Sequence, residues 1–330
     1  MHGENLAAID LGTNSCRLRI TDKSGNIIYR EAVTTKLGEG LTENMCFTEA
    51  AITRGLKCLT RFAELMADYD VGHYRAIATA SCRMATNGNQ FVEMVKNNCG
   101  INLEIISPKE EAELVLRGAI LNADKNKPYI LVYDLGGGST EITLATNTDK
   151  PQILHTVSIP WGARNSSEVF QLQEYNEEKA QKLAQEIRQW TTQFAQASNF
   201  AQYHDDCCCI ATSSAPLRLV SMVKEAGVYS KDFADGLTAS TNDIENKIKK
   251  VFAMNLQELA QNPYIGENRS TIFIASCIIF RTIYQTLQIS ELTSSLKGAQ
   301  EAIIEELRNN GKVNPISKTG TRSQNADRAC

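Results

Sequence analysis

Apolar positions along the chain follow two periods, and the switch between them marks the elements. Residues 6–10 form a short apolar run that ends in the turn Asp-Leu-Gly-Thr-Asn. Residues 16–21 alternate Cys, Arg, Leu, Arg, Ile, the period of a half-buried strand, and 26–33 follow a Ser-Gly step as a third strand. Helical spacing predicts a helix over 48–67 with Thr48 as its N-cap. A strand at 74–79, a helix near 89–98 and a strand at 103–106 come next. Ser107-Pro-Lys-Glu then opens another helix: Ser107 caps it, Pro108 suits its first position, and Glu110 closes a capping box.

The opening pattern then recurs. Residues 129–134 are apolar and end in Asp-Leu-Gly-Gly-Gly-Ser-Thr, and 141–145 and 152–159 read as the second and third strands. Asp10-Leu-Gly and Asp134-Leu-Gly stand at corresponding places in two βββ blocks, which marks an internal duplication. The chain divides into a domain at 1–122 and a second at 123–290, joined by the polar hinge 124–128. Further helices are predicted at 176–197, 241–260, 268–287 and 290–309, with 291–310 packing back on the first domain. Residues 311–330 hold few apolar side chains and read as a disordered tail. The expected fold class is α/β: two lobes, each a five-stranded mixed sheet flanked by helices, closing on a cleft.

Composition narrows the functions. A chain of 330 residues with 42% apolar content has enough material for two cores. Its formal charge of −4 gives no support to a general nucleic-acid or membrane-surface protein, so any polyanion must be met by a local site. The first ten residues lack the basic-then-apolar pattern of a secretory signal, and the longest apolar stretch, 272–280, is too short to span a membrane. A soluble cytoplasmic protein is expected. Its ten cysteines are then expected to be reduced thiols. None forms a CxxC pair, and Cys207, Cys208 and Cys209 lie in a strand whose side chains point alternately to opposite faces, a poor chelate.

The two Asp-Leu-Gly turns carry the sharpest chemistry. Glycines at Gly12, Gly136, Gly137 and Gly138 let backbone N–H groups close on an anion. Thr13, Asn14 and Ser15 add side-chain donors in the first turn, as do Ser139 and Thr140 in the second. Asp10 and Asp134 would repel phosphate but can hold a divalent cation beside it. Arg17 and Arg83 suit bidentate contact with phosphate oxygens. Glu111, early in its helix, is a candidate general base, and Glu141 is a second carboxylate for base or metal duty.

In this order and spacing, AAIDLGTNSCRLRI, KLGEGL, RAIATASCRMATNG, LEIISPKEEAELVLRGA, LVYDLGGGSTEI and SIPWGA resemble the Ppx/GppA phosphatases. These are exopolyphosphatases and guanosine pentaphosphate phosphohydrolases. The resemblance implies two actin-like (ribonuclease H-like) domains of the ASKHA superfold with an interdomain cleft. It also implies hydrolysis of a terminal phosphoanhydride with Mg²⁺ or another divalent ion such as Mn²⁺. Glu111 then matches the catalytic base and Glu141 the second catalytic glutamate. Asp10, Asp134 and Glu141 match the metal's surroundings. Asn14, Ser15, Arg17 and Arg83 match the surroundings of the terminal phosphate, and residues 136–140 match the second phosphate turn.

The chain departs from the family pattern at 211–215, where Ala211 and Ser214 stand at usual glycine positions, and at 268–276 and 294–299. Ending near 330, it reads as a short member without the C-terminal helical domain of longer relatives. The leading expectation is an exopolyphosphatase, the altered 211–215 stretch leaning away from a nucleotide. A pppGpp 5′-phosphohydrolase is the near alternative, a low-activity polyphosphate or alarmone sensor a second class, and a sugar or acid kinase a third. Expected partners are inorganic polyphosphate or pppGpp and, from the family, a second copy in a homodimer; nucleic acid and membranes are not expected.

Overall fold

The structure, a computed structural model, describes residues 4–310. The tail reading for 311–330 falls outside them. Strands β1 (Asn5–Leu11), β2 (Cys16–Thr21) and β3 (Ile27–Val33) form an antiparallel meander. Helices α1 (Leu41–Asn44) and α2 (Glu49–Asp68) lead to β4 (Val71–Ala78), which returns parallel to β1. Helices α3 (Ala80–Met84) and α4 (Gly88–Cys99) precede β5 (Leu103–Ile105), parallel to β4. The sheet order is β3-β2-β1-β4-β5. Helix α5 (Pro108–Ala119) then leaves the first lobe.

The second lobe repeats the plan. Strands β6 (Tyr129–Leu135), β7 (Thr140–Thr146) and β8 (Ile153–Ile159) form the meander, and α6 (Ala163–Val169) and α7 (Glu177–Ala197) follow. Strand β9 (Cys207–Thr212) runs parallel to β6. Then come α8 (Ser214–Val223), α9 (Lys231–Ala234), β10 (Thr238–Ser240), α10 (Thr241–Phe252), α11 (Leu256–Gln261), α12 (Glu267–Thr286), β11 (Glu291–Ser295) and α13 (Ala299–Asn310). The second sheet runs β10-β11-β9-β6-β7-β8. Read from β8, it repeats the first order and adds one edge strand. Two mixed sheets with the same topology, each flanked by helices, make the actin-like α/β fold.

Several expectations change. The second sheet has six strands, not five. The helix expected at 290–309 is a strand, β11, followed by α13. The predicted helix over 241–260 breaks between α10 and α11, because Asn255 accepts the Glu258 N–H and starts a new helix while Glu258 returns a bond to the Asn255 N–H. The capping box at Ser107 is half made. Ser107 Oγ accepts the Glu110 N–H at 3.2 Å, but the Glu110 carboxylate goes to Arg75 instead. A charged partner outbids a backbone N–H for an anionic side chain.

Helix α5 is wedged between the lobes. Its Leu114 packs with Leu6, Ala8, Ile77 and Ile106 of the first lobe. Its Val115, Leu116 and Ala119 pack with Ile130, Val132 and Ile210 of the second. Helix α13 crosses back, burying Ala302, Ile303, Ile304 and Leu307 in that first-lobe cluster. The crossing is close because Gly118 faces Gly298: a Cβ on Gly118 would lie 2.0 Å from the Gly298 carbonyl oxygen. Packed in this way against both lobes, α5 brings Glu111 to the cleft.

Candidate active site

The two meanders present their hairpin turns to the same cleft. In both, the first glycine N–H closes on a serine carbonyl three positions along the turn: Gly12 to Ser15 and Gly136 to Ser139, each at 3.0 Å. Both turns are also braced from behind. In the first, the Thr13 and Asn14 carbonyls accept from Gly38 and Lys36 at 2.9 and 3.0 Å. In the second, the Gly136 and Gly137 carbonyls accept from Ala163 and Arg164, the opening residues of α6, at 2.9 and 2.8 Å. Asn165 Nδ2 donates to the Gly138 carbonyl at 3.0 Å. With the carbonyl edges taken, the N–H edges are the ones available to an anion.

The turns touch each other across the cleft. A Cβ on Gly138 would lie 2.7 Å from Thr13 Oγ1, and one on Gly137 would lie 3.1 Å from the Asn14 backbone nitrogen. These glycines thus serve lobe approach as well as anion access. Arg164, buried on α6, donates to Asn14 Oδ1 and to Glu168, and Glu168 in turn accepts the Gly40 N–H at 3.3 Å. Arg269 at the start of α12 donates to Ser15 Oγ at 3.2 Å.

Strand register sets the charges. Asp10 lies opposite Arg17 in the first hairpin, and Asp134 lies opposite Glu141 in the second. The duplicated position is thus a cation in one lobe and a carboxylate in the other. Arg17 pairs with Asp10 at 3.2 Å. Asp134 Oδ1 accepts from the Thr212 and Ser213 hydroxyls. Glu111 is held by Arg83 at 2.8 Å, and Arg83 also donates to the Ile106 carbonyl at 2.9 Å. Glu141 accepts from Ser158 at 2.8 Å. Burial pushes Glu111 well above the usual carboxylate range; the Glu141 charge adds to this and Arg83 opposes it. Glu141 is pushed up to about 7, by burial first and the Asp134 charge second. Burial also raises Asp10, against the pull of Arg17.

One cavity is lined by Asp10, Gly12, Thr13, Asn14, Ser15, Arg17, Glu111, Asp134, Gly136, Gly137, Gly138 and Ser139. The remaining sequence candidates lie behind its wall. Arg83 is engaged with Glu111. Thr140 is fully buried and donates to the Trp161 carbonyl at 2.7 Å. Glu141 is buried beside Ser158. The structure adds Thr79, Ser213, Ser214 and Arg269 to the lining. A lone arginine ahead of the apolar run at 272–280 was the available signal for Arg269. Near the altered 211–215 stretch, Ala211 sits inside β9 and Ser214 opens α8, and neither has a positive φ. Ser213 does, at 82°, a conformation that costs a non-glycine residue about 1–3 kcal/mol and that aims its hydroxyl at Asp134.

The model of the Ppx/GppA phosphatase family matches residues 18–310. The chain belongs to this phosphatase family. Over 149 residues it is 39% identical to the bifunctional 3-dehydroquinate synthase/phosphatase of Fusobacterium nucleatum subsp. nucleatum; the match takes in 42% of this chain and 22% of that longer protein. Solved structures share the fold. An exopolyphosphatase-like protein is 20% identical with a TM-score of 0.85 over 93% of this chain and 100% of its own. An exopolyphosphatase from Cytophaga hutchinsonii is 20% identical with a TM-score of 0.83 over 92% and 98%. The Aquifex aeolicus Ppx/GppA family member is 22% identical with a TM-score of 0.75 over 94% and 99%.

The cavity's carboxylates are hard oxygen donors that suit Mg²⁺ or Mn²⁺. Among the described residues no three His, Cys, Asp or Glu side chains form a complete ligand set. The nine described cysteines are free thiols, and no described helix is long and apolar enough to cross a membrane.

Proposed function

We propose that this phosphatase-family chain is a metal-dependent exopolyphosphatase that removes the terminal phosphate of inorganic polyphosphate. The observation that carries the reading is the position of Glu111: its carboxylate, fixed by Arg83, enters the cavity that both glycine turns line.

The terminal phosphate seats between the turns, its oxygens on the N–H edges and on Arg17 and Arg269. Glu111 takes a proton from the attacking water as the water oxygen bonds to phosphorus. The bridging P–O bond breaks, and its electron pair leaves with the shortened chain. The turns and arginines meet the charge that builds on the phosphoryl oxygens. Asp10 and Asp134 would hold the divalent cation, with Glu141 behind them; when bound, it neutralises phosphate charge. Glu111 must be ionised to act, so its raised pKa makes the rate climb with pH through that value.

The test is phosphate release by the purified chain with Mg²⁺ from long-chain polyphosphate, pppGpp and ATP, beside Glu111→Gln. Release from polyphosphate that the variant loses supports the reading. Preference for pppGpp moves it to alarmone turnover. No release from any substrate, with tight polyphosphate binding, replaces the enzyme by a sensor.

A further inference from the structure

The duplicated hairpins hold their aspartates in different ways. Asp10 lies between Arg17 of β2 and Ile77 of β4, and Arg17 pairs with it at 3.2 Å. The corresponding Asp134 lies between Glu141 of β7 and Thr212 of β9. A carboxylate thus stands where the first lobe has its arginine, and like charges on facing strands repel. Asp134 is held from the other side instead. The Thr212 hydroxyl donates to its Oδ1 at 2.6 Å, and the Ser213 hydroxyl donates to the same oxygen. Among the described residues no donor is hydrogen-bonded to Oδ2.

Thr212 reaches Asp134 at no backbone cost, because the parallel register of β9 sets the two side by side. Ser213 does not. It stands at φ 82° and ψ −176°, a region that is essentially glycine's alone. The topology does not impose this conformation. In the first lobe Ile77 and Ala78 take the corresponding places at the end of β4, and the chain passes into α3 through Thr79 at φ −115°. Ser213 also forgoes a helix cap. It precedes α8, yet its hydroxyl makes no cap bond. Ser107 and Ser240, at φ −71° and −69°, each accept the backbone N–H three residues on. Two local sources of stability are thus given up at one residue, and the bond its hydroxyl makes is the one to Asp134.

Resting on the reading of Asp134 as a carboxylate that holds the divalent cation, we propose that Ser213 is a positioning residue whose strained backbone fixes Asp134 for that ion. Its hydroxyl and that of Thr212 anchor Oδ1 against the push of Glu141, and Oδ2 is left to the cavity that Asp134 lines. The carboxylate is then ordered before the ion arrives. A donor lost from behind it is read as weaker ion binding, although neither hydroxyl need touch the ion.

Ion binding tests this without turnover. Full-length chain, as wild type, Ser213→Ala, Ser213→Gly and Thr212→Val, is titrated with Mn²⁺, the free ion being read from its electron paramagnetic resonance signal. Each variant lacks one of the two hydroxyls and is expected to bind Mn²⁺ about tenfold more weakly. Orthophosphate binding without divalent ion is expected to stay within about twofold of wild type. Ser213→Ala keeps a Cβ at the strained position and Ser213→Gly removes it. In metal-free buffer the glycine variant should therefore melt about 2–4 °C above the alanine variant, the reverse of the usual order. Wild-type chain that binds no Mn²⁺, or Ser213 variants that bind it as wild type does, overturn the proposal. Affinity lost in Ser213→Ala and regained in Ser213→Gly also overturns it, because strain and not the hydroxyl would then set the affinity. Equal weakening of Mn²⁺ and of metal-free orthophosphate overturns it in favour of a disturbed cavity, and an alanine variant at least as stable as the glycine variant overturns the strain. Wild-type chain that releases no phosphate from any substrate, while the Ser213 variants still bind Mn²⁺ more weakly, sinks the hydrolase reading and leaves the positioning role standing.

Discussion

Gly162→Ala isolates the contribution of the second glycine turn. Gly162 has φ −128°, extended backbone that any residue adopts, so the substitution acts through space alone. The new Cβ would lie 2.6 Å from the Gly137 carbonyl carbon and from the Gly138 and Ser139 nitrogens. Reaching a tight but tolerable 3.4 Å requires 3.4 − 2.6 = 0.8 Å of movement. Helix α6 and the turn cannot part freely, because Ala163 and Arg164 donate to the turn carbonyls at 2.9 and 2.8 Å. The amide edge must therefore shift, and a displacement near 1 Å at a reacting centre costs about 10²-fold in rate. Overpacking adds a stability loss of about 1–3 kcal/mol. The assay is kcat for phosphate release from polyphosphate at a temperature well below the variant's own Tm. A kcat within twofold of wild type, with the Tm lowered as expected, would show that the turn moved and the chemistry did not depend on it. That result would refute the proposed assignment of the 137–139 amides to the phosphate.

Three further outcomes are expected. Glu141 in the folded chain is pushed from 4.5 up to about 7, so folding favours its protonated form; the associated stability is present below 4.5 and is lost as pH rises through 7. The shift corresponds to about 3 kcal/mol, so urea denaturation without divalent cation should give lower stability at pH 8.5 than at 5.5, and Glu141→Gln should flatten the difference; a rise with pH would contradict it. Arg83→Met removes the cation that opposes the raised Glu111 pKa, so the acidic limb of the kcat/KM profile should move up by about one unit, and an unmoved limb would show that Arg83 does not tune the base. Arg164→Met leaves Asn14 Oδ1 and Glu168 without their shared donor, so the chain should lose about 2–3 kcal/mol in urea denaturation and gain KM; Arg164→Lys should not restore it, because an ammonium lacks the planar fork that reaches both.

Much of the candidate site was legible because its parts are local. A hairpin's register follows from its turn, so the Asp-Leu-Gly turns already imply which residue faces Asp10 and which faces Asp134. Glu111 was legible through the Ser107-Pro108 helix start. The role of Arg83 was less so. Spacing put a guanidinium near the cleft, but its partner, Glu111, lies 28 residues further along the chain. Ser213 was hidden because its positive φ comes from the passage out of β9 into α8, whereas the departure from the family pattern pointed to Ala211 and Ser214.

The sequence by itself determined the alternation of strands and helices through the first lobe and the first half of the second, the duplication, the two glycine turns and the family. Each is written in a short window, where side-chain period, turn sterics and capping act between near neighbours. The tertiary structure alone decided that 291–295 is a sheet strand rather than helix, because its partners on β9 and β10 lie 51 to 83 residues away. It alone brought Arg269 to Ser15 across 254 residues and set Arg218 and Lys231 on the wall of one cavity. Such placements depend on which surfaces two cores bury against each other. That choice is made by the summed packing of both lobes, not by any window of the chain.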